Sequence, residues 1–211
     1  MNIVILGSQG SGKGTQAKLL AEKYGLTQIE TGKLLRDIAE TDHPWGKRIK
    51  SMMLKGVLVS DKILMAVLKQ TLAKPAGNGR IFDGTPRNLP QYELIKNILK
   101  SRGEKLDRVI MLKVSEAEAV KRISARRICK NCGRIYNLIT DPPPGDFKCE
   151  CKGELVQRED DYPDVIKKRL KAFNKSTLEV AKRALREGIL LEIDGERPVE
   201  EIFREIVSWI N

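Results

Sequence analysis

The stretch GSQGSGKGT, Gly7–Thr15, decides how this chain is read. It follows an apolar, β-branched run, NIVIL (Asn2–Leu6). It opens a segment with helical spacing, KGTQAKLLAEKYG (Lys13–Gly25), in which Ala17, Leu20 and Tyr24 share a face and Gly25 suits a C-cap. The stretch fits G-x-x-x-x-G-K, with Gly14 standing before the hydroxyl residue Thr15. Glycines let successive backbone N–H groups face inward round phosphate oxygens, and a helix N-terminus adds its partial positive charge. In that arrangement Lys13 bridges the phosphates and the Thr15 hydroxyl faces Mg²⁺. A flexible glycine-rich turn is the alternative, and the strand before and helix after weigh against it. A nucleotide phosphate is the expected ligand; what is done with it must be read elsewhere.

Outward from this loop, strand candidates RIFDG (Arg80–Gly84), DRVIMLKV (Asp107–Val114) and ILLEID (Ile189–Asp194) alternate with helical patterns. The helices are expected near Asp61–Leu72, Pro90–Ser101, Glu116–Arg127, Pro163–Glu187 and Val199–Ile210, with Ser115 and Glu118 forming a capping box. Such alternation predicts an α/β fold: a parallel sheet flanked by helices. Two segments break the rhythm. Thr31–Val59 reads as a small helical lobe, and Ile128–Asp161, with PPPGD (Pro142–Asp146), as an inserted lobe of short strands.

The chain has 211 residues, 41% hydrophobic and 32% charged, which suits a globular domain with a substantial core. No apolar run approaches the roughly 20 residues of a membrane helix. MNIVILG lacks the basic start and long apolar core of a signal peptide, so a cytoplasmic location is expected. A net charge of +11 favours polyanionic partners without choosing among nucleic acid, membrane surface and phosphorylated small molecules. All four cysteines fall within Cys129–Cys151, which suits a metal site better than a disulfide framework.

The form GxxGxGKGTQA resembles the loop of adenylate kinases and related nucleoside monophosphate kinases. TGKLLR (Thr31–Arg36), KGVLVSD (Lys55–Asp61) and DGTPRNLPQ (Asp83–Gln91) resemble further segments of that family, in the same order. So do VKRISARRICKNCGRIY (Val120–Tyr136) and ELVQREDD (Glu154–Asp161), which are similar to a zinc-bearing lid, and KKRLKAF (Lys167–Phe173) and IDGERPVEEI (Ile193–Ile202). The resemblance implies a phosphate-loop core of residues 1–30, 60–125 and 162–211, a monophosphate-binding lobe of 31–59 and a lid of 126–161. It implies Mg²⁺-dependent phosphoryl transfer from ATP to AMP giving two ADP, by a monomer in default, with no nucleic acid or membrane partner.

Site residues follow from the same resemblance. Gly10, Ser11, Gly12, Lys13, Gly14, Thr15, Arg122, Arg126, Ile135, Tyr136 and Arg197 would bind ATP, Arg122 by stacking on the base. Thr31, Arg36, Val57, Leu58, Val59, Gly84, Thr85, Pro86, Arg87, Gln91, Arg158 and Arg169 would bind AMP, with Thr31 equally suited to capping its helix. Arg126, Arg158 and Arg169 would converge on the phosphates in transit, and Lys13 and Arg87 complete the catalytic cations. Asp83, ending an apolar strand, would hold Mg²⁺ through water; an Asp-Gly hairpin turn is its alternative. Guanidinium forks suit this work because they match phosphate oxygens and stay charged. The single histidine, His43 in DHPWG, reads as a surface residue.

Thr85, Lys33 and Ser60 depart from the family pattern, in which phenylalanine, aspartate and proline are usual. All lie in or beside the acceptor segments, and a threonine in place of a bulky aromatic predicts relaxed acceptor selectivity. The cysteines depart too: C-x2-C-x16-C-x-C is one residue short in its second half. Four thiolates, Cys129, Cys132, Cys149 and Cys151, suit structural Zn²⁺ with no open position; a metal-free cluster and a redox pair are the alternatives. Two other functions fit parts of the chain. One is a kinase of another monophosphate. The other is a zinc-ribbon nucleic-acid binder, for which the lid region offers few aromatics: Tyr136, Phe147 and Tyr162.

Overall fold

Six consecutive residues, Asn2–Gly7, form strand β1, and all six are buried, as a strand covered on both faces requires. The computed structural model describes residues 1–145, 147–158 and 160–211; Asp146 of PPPGD and Glu159 of ELVQREDD lie outside the described residues. β1 is the centre of a five-stranded parallel sheet with β2 (Thr27–Glu30), β3 (Arg80–Asp83), β4 (Arg108–Lys113) and β8 (Leu190–Asp194), in the order β2-β3-β1-β4-β8. Alternate residues divide between two layers. Val4, Leu6, Phe82, Val109 and Met111 pack on Leu68 of α4 (Asp61–Leu72), Ile95 of α5 (Leu89–Lys100) and Val180 of α8 (Leu178–Arg186). Ile3, Ile5, Ile81, Ile110 and Leu112 pack on Leu20 of α1 (Lys13–Tyr24) and Ile206 of α9 (Val199–Ile210).

The chain leaves β1 for the β3 side and later returns to the β4 side, so the carboxyl ends of β1 and β3 meet at the switch point of the sheet. There the phosphate loop and Asp83 lie side by side. The parallel pairing of β1 with β3 removes the hairpin reading of Asp83-Gly84.

Several boundaries differ from the periodicity. The helix expected to Arg127 stops at Ser124 as α6 (Glu116–Ser124), because Arg126–Cys129 becomes strand β5. The capping box is half formed: Ser115 Oγ accepts the Glu118 N–H (3.3 Å), but the Ser115 N–H donates to Glu196 while the Glu118 carboxylate holds Arg122. The long helix expected at Pro163–Glu187 is α7 (Pro163–Ala172), a π-helical turn (Phe173–Thr177) and α8. That widened turn brings the Thr177 hydroxyl to the Arg87 carbonyl, to which it donates at 3.1 Å.

The two irregular segments are small packed units. α2 (Thr31–Ala39) and α3 (Gly46–Leu54) enclose Leu35 and Ile49, which share a cluster with Val59, Ile63 and Val67. β5 lies between β6 (Ile135–Asn137) and β7 (Leu155–Val156) in an antiparallel sheet whose apolar filling is Cys129, Tyr136, Cys149 and Leu155. Among the described residues, no helix is long and apolar enough to cross a membrane.

Candidate active site

The loop after β1 has the backbone its glycines permit. Gly10 and Gly12 have φ of 80° and 85°, and a Cβ on Gly10 would stand 2.7 Å from the Ala119 carbonyl oxygen. Gly12 caps α1 without a side-chain acceptor, so the first amides of the helix are free to face an anion. The side-chain oxygens of Ser8, Gln9 and Ser11 are buried with no hydrogen-bond partner among the described residues, a polar lining suited to a ligand. Gly14, where a hydroxyl residue commonly stands, lies close to Asp83: a Cβ there would be 3.3 Å from Asp83 Oδ2.

Lys13 Nζ donates to Ser8 O at 3.1 Å. Burial lowers its pKa to about 8; the Asp83 carboxylate opposes this, and Arg87, Arg126 and Arg169 add to it. Because the folded-state pKa is lowered, the neutral amine is favoured above it, whereas phosphates bind the ammonium form. One linked proton then predicts an ATP dissociation constant that rises about tenfold per pH unit above about pH 8 and is flat below. Calorimetric titration with ATP on both sides of that value checks this, and a pH-independent constant contradicts it.

Asp83 is 6% exposed, its pKa raised by burial, and no cation of the described residues lies within ion-pair distance. A buried carboxylate of this kind, beside Gly14 and so one position from Thr15 on α1, fits a hydrated divalent cation.

Across the β3 turn lies a second pocket, lined by Thr31, Arg36, Val57, Leu58, Val59, Gly84, Arg87, Gln91, Arg158 and Arg169. Thr31 does not cap its helix: Glu30 holds that position, and Thr31 Oγ1 is buried without a partner among the described residues. Gln91 is fixed tightly. Its Oε1 accepts the Arg87 N–H (2.8 Å) and the Thr85 hydroxyl (3.4 Å), and its Nε2 donates to Asp61 Oδ1 (2.9 Å). Thr85 is 1% exposed and Lys33 is on the surface, while Ser60 precedes α4 without a side-chain cap bond.

Arg36, Arg87, Arg158 and Arg169 gather on this pocket, and Arg126 is a charge neighbour of Lys13 and Arg169. Arg87 Nε donates to the Gly84 carbonyl (2.8 Å), and burial lowers its pKa. Arg126 grips Asp161 with two bonds (2.8 and 2.5 Å), and Arg158 grips Asp160 likewise (2.8 and 2.7 Å). Arg169 bonds Asp160 at 2.8 Å and lies 3.5 Å from Asp161; burial is the chief cause lowering its pKa to about 10. Arg36 pairs with Glu30 at 3.1 Å. Asp160, Asp161 and Asp61 were missed in the sequence as parts of this region. The signal available was the acidic run EDD that follows Arg158, in a chain otherwise rich in cations.

The remaining predicted donor residues lie on the other side of the phosphate loop. Arg122 bonds Glu118 (2.7 Å) and the Gly195 carbonyl (2.8 Å). The Gly195 backbone is packed against Ser11. Arg197 follows on the same loop and pairs with Glu205. Ile135 is exposed on the lid, whereas the Tyr136 ring is 2% exposed inside it, with its hydroxyl on Cys149. The Sγ atoms of Cys129, Cys132, Cys149 and Cys151 all lie within 4.8 Å of one another, a closed four-thiol set. His43 is exposed, its ring 5.0 Å from that of Trp45.

A glycine loop at the switch point of a parallel sheet, a facing pocket and buried guanidiniums between them define a phosphate-loop phosphotransferase. The family model for adenylate kinase matches residues 5–184. Adenylate kinases of Archaeoglobus fulgidus (42% identical over 98% of this chain and 96% of that one) and Kosmotoga olearia (40%, 98% and 97%) are among its relatives. So is that of Thermosipho melanesiensis (42%, 100% and 99%). The chain belongs to the adenylate kinase family.

Proposed function

We propose that this chain reversibly transfers the γ-phosphoryl group of Mg-ATP to AMP, giving two ADP. One observation carries the reading: a pocket lined by Gly7, Gln9 and Lys13 adjoins a second lined by Thr31, Arg36, Gln91 and Arg158, Arg87 and Arg169 line both, and Asp83 and Arg126 are charge neighbours of Lys13. The donor phosphates rest on the loop amides and Lys13, and the acceptor phosphate is gripped by Arg36 and Arg87. Arg126, Arg158 and Arg169 exchange their aspartates for the phosphoryl oxygens, so little reorganisation accompanies the charge that develops. Thr15, and Asp83 through water, would hold the Mg²⁺ that comes with ATP, and the ion would there supply neutralisation of phosphate charge. Residues 31–59 and 126–161 act as lobes that close over the nucleotides and exclude water.

The acceptor base is read by Gln91 and the 57–59 backbone. Both Gln91 oxygen contacts are taken inside the protein, so the group left for the base is an N–H. That favours a ring nitrogen that accepts, as in adenine or cytosine, over the N–H of guanine or uracil. Thr85 remains the reason to read relaxed selectivity, since it replaces an aromatic ring. Steady-state assays with ATP and each monophosphate test both points. The expected order is AMP, then CMP, with GMP and UMP far behind; preference for GMP or UMP overturns this reading of Gln91.

The cysteine set supports a structural Zn²⁺, since four soft ligands enclose one point and leave none for a reacting water. The zinc would brace a lid whose own apolar filling is small. Metal analysis is expected to find about one zinc per chain, and chelation to lower the melting temperature more than it lowers activity in the cold. Four freely titrating thiols and no zinc contradict this.

A further inference from the structure

The two halves of the cysteine set turn in the same way, but one is a residue shorter. In the first half the Cys129 carbonyl accepts the Gly133 N–H (3.0 Å) and the Cys129 N–H donates to Arg134 O (2.9 Å). In the second half the Cys149 carbonyl accepts the Lys152 N–H (2.6 Å) and the Cys149 N–H donates to Gly153 O (3.1 Å), each partner one position earlier. The left-handed residue moves with them, from Gly133 (φ 72°) to Lys152 (φ 61°). Gly153 is then pressed against the opposite thiol: a Cβ there would stand 2.6 Å from Cys129 Sγ.

The missing residue carries a cost in donors. In the first half the amides of Asn131 and Cys132, in the turn that follows Cys129, have no backbone acceptor among the described residues and are left for its Sγ. In the second half the Lys152 amide is taken by the Cys149 carbonyl and the Glu150 amide by Tyr136 Oη, so among the described residues one is left, that of Cys151. In the second amide's place is the Tyr136 hydroxyl, 3.4 Å from Cys149 Sγ. The direction of its hydrogen is settled locally. Tyr136 Oη accepts the Glu150 N–H at 3.2 Å, so its own O–H is left for the sulfur. The ring that carries it is buried in the lid, on the strand that pairs with the first cysteine's strand.

We propose that the Tyr136 hydroxyl is a positioning donor for the metal site, supplying Cys149 with the hydrogen bond that the shortened C-x-C half lacks. This rests on the reading that the four cysteines hold zinc. A thiolate ligand with too few donors carries more charge and is oriented less firmly, and outer contacts of this kind change metal affinity by about 10–100-fold.

Tyr136→Phe keeps the ring and removes only the hydroxyl. The chain is loaded with Zn²⁺, or with Co²⁺ as a spectroscopic probe, and metal release to a chromophoric chelator is followed. Metal affinity is expected to fall about 10–100-fold, with a shift in the thiolate-to-cobalt charge-transfer band. A packing role alone would lower the melting temperature and leave affinity within a factor of about two, with an unchanged band, and would overturn the proposal. Should Tyr136→Phe not fold, the same substitution is made with one glycine inserted between Glu150 and Cys151. Folding and wild-type cobalt binding there support the proposal, and failure there overturns it. A wild-type chain that binds neither metal removes the zinc reading itself, and this inference with it.

Discussion

Replacing Lys13 with Met, or Arg87 with Ala, is expected to lower turnover with ATP and AMP by roughly 10³–10⁵ while the fold survives. The size follows from the chemistry. Phosphoryl transfer needs little covalent help, so rate depends on cations placed where charge collects; Lys13 lines the pocket at the loop, and Arg87 lines both pockets. The survival of the fold follows from their partners. Lys13 donates to a loop carbonyl and Arg87 Nε to the Gly84 carbonyl, so neither removal strands a directly paired carboxylate. Both groups have pKa values lowered by burial, which means that their charge is held at some expense to the free protein. Turnover and melting temperature measured on the same preparations decide it. Near-normal turnover in both variants contradicts the roles assigned here.

Asp161→Ala is expected to have the largest effect on stability. Asp161 is fully buried and holds Arg126 by two bonds, with Arg169 at 3.5 Å. Removing it leaves a buried guanidinium beside others of like charge, and breaking such a pair costs about 3–5 kcal/mol. For a chain of this length each kcal/mol moves the melting temperature by roughly 2–4 °C. A ligand carrying both nucleotides on one polyphosphate should raise the melting temperature of the variant more than that of the wild type, because its phosphates take the vacated place. A variant that melts like the wild type, with equal ligand shifts, contradicts this account of the arginine cluster.

Much of this was legible in the residues because it rests on local rules. A glycine loop between a β-branched run and an amphipathic helix specifies its own backbone, and α4 and α9 begin and end where their periodicity does. β2 was missed because TQIE is four residues long with one buried side chain, too little for alternation to register. The end of α6 was overrun because nothing in ARR forbids another turn; strand pairing of Arg126–Cys129 with β6 and β7 stops it. The π-helical turn escaped for a related reason, since its role is to meet Arg87, ninety positions away in sequence.

The candidate site shows the same division. Arg126, Arg158 and Arg169 stand out in motifs, but their hold on Asp160 and Asp161 depends on the lid and α7 coming together. Thr31 could be read as a helix cap or a ligand group, and only the assembled turn removes the first. Tyr136 lies in a motif associated with ATP, yet its side chain faces the cysteines. Alternation along a three-residue strand carried no sign of which face that would be.

The most direct test of the central claim is to mix the protein with ATP, AMP and Mg²⁺ and follow the phosphorus resonances. The account predicts that ADP appears as two molecules for each AMP consumed, that free phosphate does not accumulate, and that ADP alone is converted back to ATP and AMP. ATP that is bound but never passed to AMP, or is lost only to free phosphate, would contradict it.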